Sequence, residues 1–234
     1  MSKKFTSRRS INILYEDDQY IAFFKPAGLL AVPADKGNEA SLTEIVNVEF
    51  AARPDAVEGL KLHPCHRIDR DTSGVILFAK GQVARDHMMN LFRAHQVQKK
   101  YIAFVHGKML HSRGEMKSRL KEDIASGDRN SMSVTRYALK QQFRHFAVVE
   151  VTPLTGRTNQ IRLHFKEVGN PLVGENKFVY RKDFELKFKR TALHASELSF
   201  VHPYTKEKVR IEAELSIDMQ NFWEKAKSPQ RDIE

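Results

Sequence analysis

Between Val209 and Leu215 the chain alternates strictly, with Val209, Ile211, Ala213 and Leu215 apolar and Arg210, Glu212 and Glu214 charged. A period of two sends successive side chains to opposite faces of an extended strand, so this segment requires a sheet with one face buried and the other wet. Other short runs agree. Ile11 to Tyr15 and Tyr20 to Lys25 read as strands joined by the acidic turn Glu16-Asp17-Asp18, and Pro26-Ala27-Gly28 closes the second. Val75 to Phe78, after Gly74, reads as a buried strand and Tyr101 to Val105 as a central one. Val134 to Leu139 and Phe146 to Val151 suggest an antiparallel pair.

Helical spacing is rarer. Leu42, Ile45, Val46 and Phe50 predict a helix over Ser41 to Phe50, and Gln82 to His95 reads as another with Val83, His87, Leu91 and Ala94 on one side. Ile161, Phe165 and Val168 mark a short helix that stops at Gly169. Strands outnumber helices without alternating regularly with them, so the expected class is α+β, a largely antiparallel mixed sheet flanked by helices and loops. There is no internal repeat and no Pro/Gly/Ser linker. Residues 11–226 are therefore expected to form a single domain between a flexible basic N-terminus, 1–10, and a polar tail, 227–234.

Of 234 residues, 39 are Lys or Arg and 29 Asp or Glu, a net charge of +10, while 41% are hydrophobic, including 15 Phe. That apolar fraction supports a core and argues against disorder; the charge favours a polyanionic partner. Basic residues gather at Lys3-Lys4, Arg8-Arg9, Lys99-Lys100, Arg181-Lys182 and Lys187-Lys189-Arg190, the later ones mixed with Phe178, Tyr180, Phe184 and Phe188. Such a mixture can track phosphates and offer rings to unstacked bases. The longest uncharged run, Pro26 to Ala34, has nine residues, against about 20 for a membrane-spanning helix. Glu16, Asp17 and Asp18 interrupt any signal-peptide core. Cys65 is the single cysteine, which rules out an internal disulfide and suits the reducing cytoplasm.

Two polar clusters could carry chemistry. His66-Arg67-Ile68-Asp69-Arg70-Asp71-Thr72-Ser73-Gly74 precedes a buried strand, where a reactive side chain would have rigid support; a surface loop held by Arg/Asp pairs fits the same spacing. Thr155 to His164 runs from a turn into a helix, and its backbone donors with Arg157 and Arg162 would suit a phosphate or a buried carboxylate, or merely cap the helix. His63, Cys65 and His66 lack a second ligand pair at zinc spacing, so no metal is expected. Walker and dinucleotide-binding glycine loops are absent, and no nucleophile elbow surrounds Ser73.

The segment HRIDRDTSG resembles the catalytic motif of pseudouridine synthases of the RluA family. Lys25-Pro26-Ala27-Gly28 with Pro33, the run Lys99 to Gly107, Gly156 to Arg162, and Ala192 to Ala195 leading to His202-Pro203 agree in order and spacing. Asn159 stands where the family usually has His, and Gly174-Glu175-Asn176 replaces a more usual Gly-Asp pair; neither departure is expected to touch the catalytic positions. With Lys25 this near the start, the S4-type domain of many relatives is not expected, and the resemblance is to stand-alone catalytic-domain members. The resemblance implies a pseudouridine synthase fold and a cofactor-free isomerisation of uridine in rRNA or tRNA, by a monomer. It implies Asp69 as the catalytic carboxylate, nucleophile or base, Arg162 beside it, Tyr101 stacked on the base, and RNA contacts from Lys25, His66, Arg67 and Arg157, with Arg67 holding the RNA open. The competing classes are an inactive RNA-binding protein on the same fold, which would not need Asp69, and a glycoside hydrolase, which would need a second acid.

Overall fold

Ten strands and four helices make up the described residues, 11–34, 39–120, 132–179 and 186–227, of the computed structural model. In chain order they are β1 (Ile13–Glu16), β2 (Tyr20–Lys25), α1 (Leu42–Ala51), β3 (Leu62–Pro64), β4 (Ser73–Lys80), α2 (Gln82–Arg93), β5 (Gln98–His106), β6 (Arg113–Ser118), β7 (Ser133–Gln142), β8 (Phe146–Pro153), α3 (Gln160–Glu167), β9 (Leu193–Val201), β10 (Lys208–Glu212) and α4 (Ile217–Lys227). The strands form one sheet in the order β1-β2-β4-β9-β5-β8-β7-β6, with β3 pairing β4 and β10 pairing β9. Every pairing is antiparallel except β4 with β9, which meet in parallel at Ser73↔His194 and Gly74↔Ala195. The fold is α+β, with that short parallel seam joining two antiparallel halves.

Alternation along the strands supplies cores on both faces. In the N-terminal half, Tyr20, Ala22, Val75 and Leu77 pack with Ala84 and Met88 of α2, while Ile21, Phe23, Ile76 and Phe78 pack with Leu42, Val46 and Phe50 of α1. In the other half, Val105, Val149 and Val151 meet Ile161 and Phe165 of α3, while Phe104, Phe146 and Val148 meet Met219, Phe222 and Trp223 of α4. Each fully buried side chain of this kind contributes about 1.5–3 kcal/mol, so the four helices are held by their apolar stripes. α1 also starts in a capping box, the Ser41 hydroxyl accepting from the Glu44 amide and the Glu44 carboxylate from the Ser41 amide.

Several expectations need correction. The buried face of α2 is Ala84 and Met88, one residue round from the expected face, and Val83 is 68% exposed. Gly81, at φ +90°, sets how the helix leaves β4 and so which side meets the sheet. The ladder of β10 ends at Glu212, although the burial alternation persists to Ala213, whose amide still reaches the Ser196 carbonyl at 2.9 Å. Of the basic and aromatic stretch near the C-terminus, Arg190 and Phe188 are taken up by the fold, while Lys187 and Lys189 stay exposed. Arg190 is buried, and its guanidinium binds Asp218 at 2.7 and 3.0 Å and the carbonyls of Asp71, Thr191 and Leu193. Phe188 packs on Phe222, with ring centroids 5.4 Å apart. Residues 1–10, with Lys3-Lys4 and Arg8-Arg9, and Tyr180, Arg181, Lys182 and Phe184 lie outside the described residues, as does most of the expected tail.

Candidate active site

Asp69 lies just before β4, at the seam between the two half-sheets. Its loop is pinned from both sides. The Lys25 ammonium donates to the carbonyls of Pro26, Leu29 and Arg70 at 2.9, 2.7 and 2.9 Å, and the Gly28 amide donates to the same Arg70 carbonyl. Arg190 holds the Asp71 carbonyl at 2.9 Å from the other side. Gly74 allows the seam itself: its φ is +116°, and a Cβ there would fall 2.1 Å from the Ala195 carbonyl oxygen.

The Asp69 carboxylate opens into a cleft of about 780 Å³ bounded by α2, β5 and the start of α3. Its Oδ2 accepts from Arg162 Nη1 at 3.3 Å, with the Asp69 side chain 30% exposed and that of Arg162 11%. The rest of the guanidinium is occupied elsewhere. Nε and Nη2 donate to the two oxygens of Glu175 at 2.7 and 2.8 Å, and Nη1 also donates to Asn159 Oδ1 at 2.8 Å. The Phe178 ring covers the guanidinium at 4.8 Å. Glu175 has no exposed side-chain surface, and its Oε1 additionally accepts the amides of Asn176, Lys177 and Phe178. Burial pushes the Glu175 carboxyl up, but Arg162 and these amides outweigh it and hold it below its ordinary value. Burial likewise opposes charge on Arg162, and the two carboxylates reverse that.

The turn before α3 is built to deliver Arg162. Buried Gln160 accepts the Thr155 hydroxyl and the Arg157 amide at Oε1, and donates to the Val134 carbonyl and Thr135. Asn159, at φ +55°, sits in the left-handed region that Asn and His tolerate better than most side chains. Its side chain makes no cap to the helix and turns to Arg162 instead. Both departures from the family pattern, Asn159 and Glu175, thus converge on the group that binds Asp69, contrary to the expectation that neither touches the catalytic positions. The expected buried carboxylate partner for this segment is Glu175.

Tyr101 of β5 lines the same cleft, half-buried, and burial together with the Asp69 charge pushes its phenol well above its ordinary value. A carboxylate fixed by a guanidinium and faced by a neutral phenol, in a cleft large enough for a nucleotide, can serve as nucleophile or base.

Residues 19–167 match the family described as RNA pseudouridylate synthase. The chain belongs to that family. It is an RNA pseudouridine synthase, an isomerase, and is 36% identical over 225 residues to the uncharacterized RNA pseudouridine synthase YlyB of Bacillus subtilis, an alignment covering 89% of this chain and 70% of that protein. It is 37% identical over 215 residues to ribosomal large subunit pseudouridine synthase C of Yersinia pestis, covering 87% of this chain and 65% of the relative. The fold matches that of human RNA pseudouridylate synthase domain containing 4, with a TM-score of 0.76 at 20% identity and 92% of each chain covered.

The synthase brings Asp69, Tyr101, Arg162, His66, Arg67 and Arg157 to one cleft, and leaves Lys25 out. Lys25 is fully buried, with all three N–H groups taken by carbonyls, so it positions the Asp69 loop and cannot contact RNA. His66 borders the cleft, yet its Nε2 accepts the Leu77 amide at 3.1 Å, and burial and the nearby Lys99 charge push its pKa down to about 3. It can offer a ring, not a cation, to a nucleotide. Phe178, expected to stack on bases, stacks on Arg162. Among the described residues no group of three or more His, Cys, Asp or Glu is placed to hold a metal; burial pushes the Cys65 thiol up to about 12. No helix among them is long and apolar enough to cross a membrane.

Proposed function

We propose that this synthase converts uridine in ribosomal RNA to pseudouridine, with Asp69 as the reacting carboxylate. The observation that carries the reading is the Asp69–Arg162 pair, 3.3 Å apart, facing Tyr101 within one cleft. The N1–C1′ bond breaks, the freed uracil turns, and a C5–C1′ bond forms; C5 then loses its proton and N1 carries one, so the product is an isomer and no electron donor enters. Asp69 acts as nucleophile on the sugar or as base, and the adjacent Arg162 guanidinium fixes the orientation of its carboxylate. Tyr101, kept neutral, stacks on the base.

A uridine within a stack cannot reach a carboxylate in a cleft, so the nucleotide is flipped out, at a cost of a few kcal/mol. Arg67, exposed at the cleft edge, and Arg157 hold the opened RNA through phosphates. Ribosomal RNA is favoured over transfer RNA because relatives such as the Yersinia pestis protein are named for the large ribosomal subunit. The unit at work is the single domain 11–226, acting as a monomer in the cytoplasm. Mapping pseudouridines across the RNA of cells with and without the gene tests this directly. A site lost from large-subunit rRNA is the expected result; loss confined to tRNA would overturn the substrate, and no loss anywhere would favour an inactive RNA-binding protein.

A further inference from the structure

Lys99 and Lys100 are adjacent, yet the fold gives them opposite circumstances. Lys100 is paired with Glu197 at 3.0 Å. Lys99 points into the cleft, where, among the described residues, its ammonium has neither a hydrogen-bond nor an ion-pair partner. Its Nζ lies over the turn before α3, 3.4 Å from where a Cβ on Gly156 would sit. Burial holds its pKa below the ordinary lysine value, and no carboxylate acts in the other direction.

An ammonium drawn partly out of water without a counter-charge is an unfavourable arrangement that an incoming anion would relieve. The rest of the cleft lining favours an anionic guest: Arg67, Arg93 and Arg157 border it beside Lys99, and Asp69, already paired with Arg162, is the single acid among the lining residues. Position narrows the guest further. Lys99 and Tyr101 are two residues apart on β5 and share the cleft face, which separates them by about 6.6 Å along the strand. That is the scale of one nucleotide step. The irregularity in the β5–β9 ladder falls between Lys100 and Tyr101, but the extra residue, Ser196, is on β9, so the alternation of β5 is kept.

We propose that Lys99 anchors an RNA phosphate flanking the nucleotide that seats on Tyr101, so that base and backbone are gripped by alternate side chains of one strand. The proposal rests on the reading of this cleft as the uridine site. Gly156 then has a purpose beyond the turn, since the absence of a side chain leaves room for the phosphate beside the ammonium.

The test is a binding cycle on an RNA fragment containing a uridine that the wild-type protein converts. Each of the two phosphates flanking that uridine is replaced in turn by a neutral methylphosphonate, and affinity is titrated over a range of salt concentrations. For the wild-type protein, one of the two replacements should lower affinity about tenfold and reduce the salt slope by about 0.7. Lys99→Met should show the same loss on unmodified RNA and no further loss on the neutralised RNA, Lys99→Arg should retain most of the affinity, and Lys100→Met should behave as wild type. Indifference of the wild-type protein to both replacements would overturn the proposal whatever the variants do. So would additive losses in Lys99→Met. Binding needs no turnover, so if no RNA is converted the same cycle is run on an RNA fragment that the protein binds, with every phosphate scanned; the cycle at one phosphate would uphold the anchor while the isomerase reading fell.

Discussion

Arg162 and Glu175 meet through two parallel hydrogen bonds, Nε to Oε2 at 2.7 Å and Nη2 to Oε1 at 2.8 Å, leaving only Nη1 to reach Asp69. The guanidinium charge is therefore shared between a sealed carboxylate and a half-exposed one. Glu175 sets the direction in which Arg162 presents itself, and the cluster keeps a net negative charge centred on the group that faces the cleft.

Glu175→Gln keeps the shape of that partner and removes its charge. The expected result is a fall in kcat of about a hundredfold from misplacement of Arg162, with KM for RNA changed little. Stability should fall by about 3 kcal/mol, as when one member of a buried pair is lost. Glu175→Asp, which retains the charge, should recover part of kcat. Steady-state kinetics beside urea unfolding separates the two effects; a variant with normal kcat would mean that Glu175 does not orient Arg162.

The same pair makes stability depend on pH. Because the folded protein holds Glu175 below its ordinary value, its contribution is complete above the unfolded carboxylate pKa of about 4.3 and disappears as pH falls through the lower folded value. Asp218, lowered by Arg190 against the opposing effect of burial, adds to the same acid limb. Melting temperatures between about pH 6 and pH 3 should fall less steeply for Glu175→Gln than for the wild-type protein. Parallel curves would remove Glu175 from the explanation.

Lys25→Met should be damaging for a reason unrelated to RNA. It strands the carbonyls of Pro26, Leu29 and Arg70, each losing a charged donor within 3 Å, at an expected total of about 3 kcal/mol. The loop carrying Asp69 would loosen, lowering kcat while leaving the salt dependence of RNA binding unchanged. A reduced salt slope would instead restore Lys25 as a phosphate contact.

The legible parts of this fold were those governed by neighbours in the chain. The alternation of β10, the short apolar runs of β2, β4 and β8, and the spacing of α1 and α3 can be read because each segment carries its own apolar pattern. β6 cannot, since in Arg113–Ser118 only Met116 is buried and an edge strand needs no more. α4 carries Met219, Phe222 and Trp223 at helical spacing, a signal diluted by the charged residues between Trp223 and Lys227. At the site, Asp69, Tyr101 and Arg162 came from ordered motifs. Glu175 and Asn159 were visible only as departures, because their shared contact depends on a turn in the left-handed region and on a chain reversal that no local pattern encodes. Lys25 misled for the converse reason: a lysine beside a Pro-Ala-Gly turn looks exposed until three carbonyls close around it.

Gly74→Ala tests the seam. With φ at +116° and the Ala195 carbonyl 2.1 Å from the added methyl carbon, the parallel bridge between β4 and β9 cannot form unchanged. A loss of more than about 3 kcal/mol is expected, seen as a large drop in melting temperature. A variant as stable as the wild type would show that the half-sheets are not held together there.

The central claim is that Asp69 performs the bond exchange while other groups bind the RNA. The most direct measurement is pseudouridine yield for Asp69→Asn on an RNA that the wild-type protein modifies, with affinity titrated on the same samples and Asp71→Asn as a loop control. The account predicts no detectable pseudouridine from a folded Asp69→Asn protein whose RNA affinity stays within a few fold, and substantial yield from Asp71→Asn. A folded Asp69→Asn protein that still forms pseudouridine would contradict it.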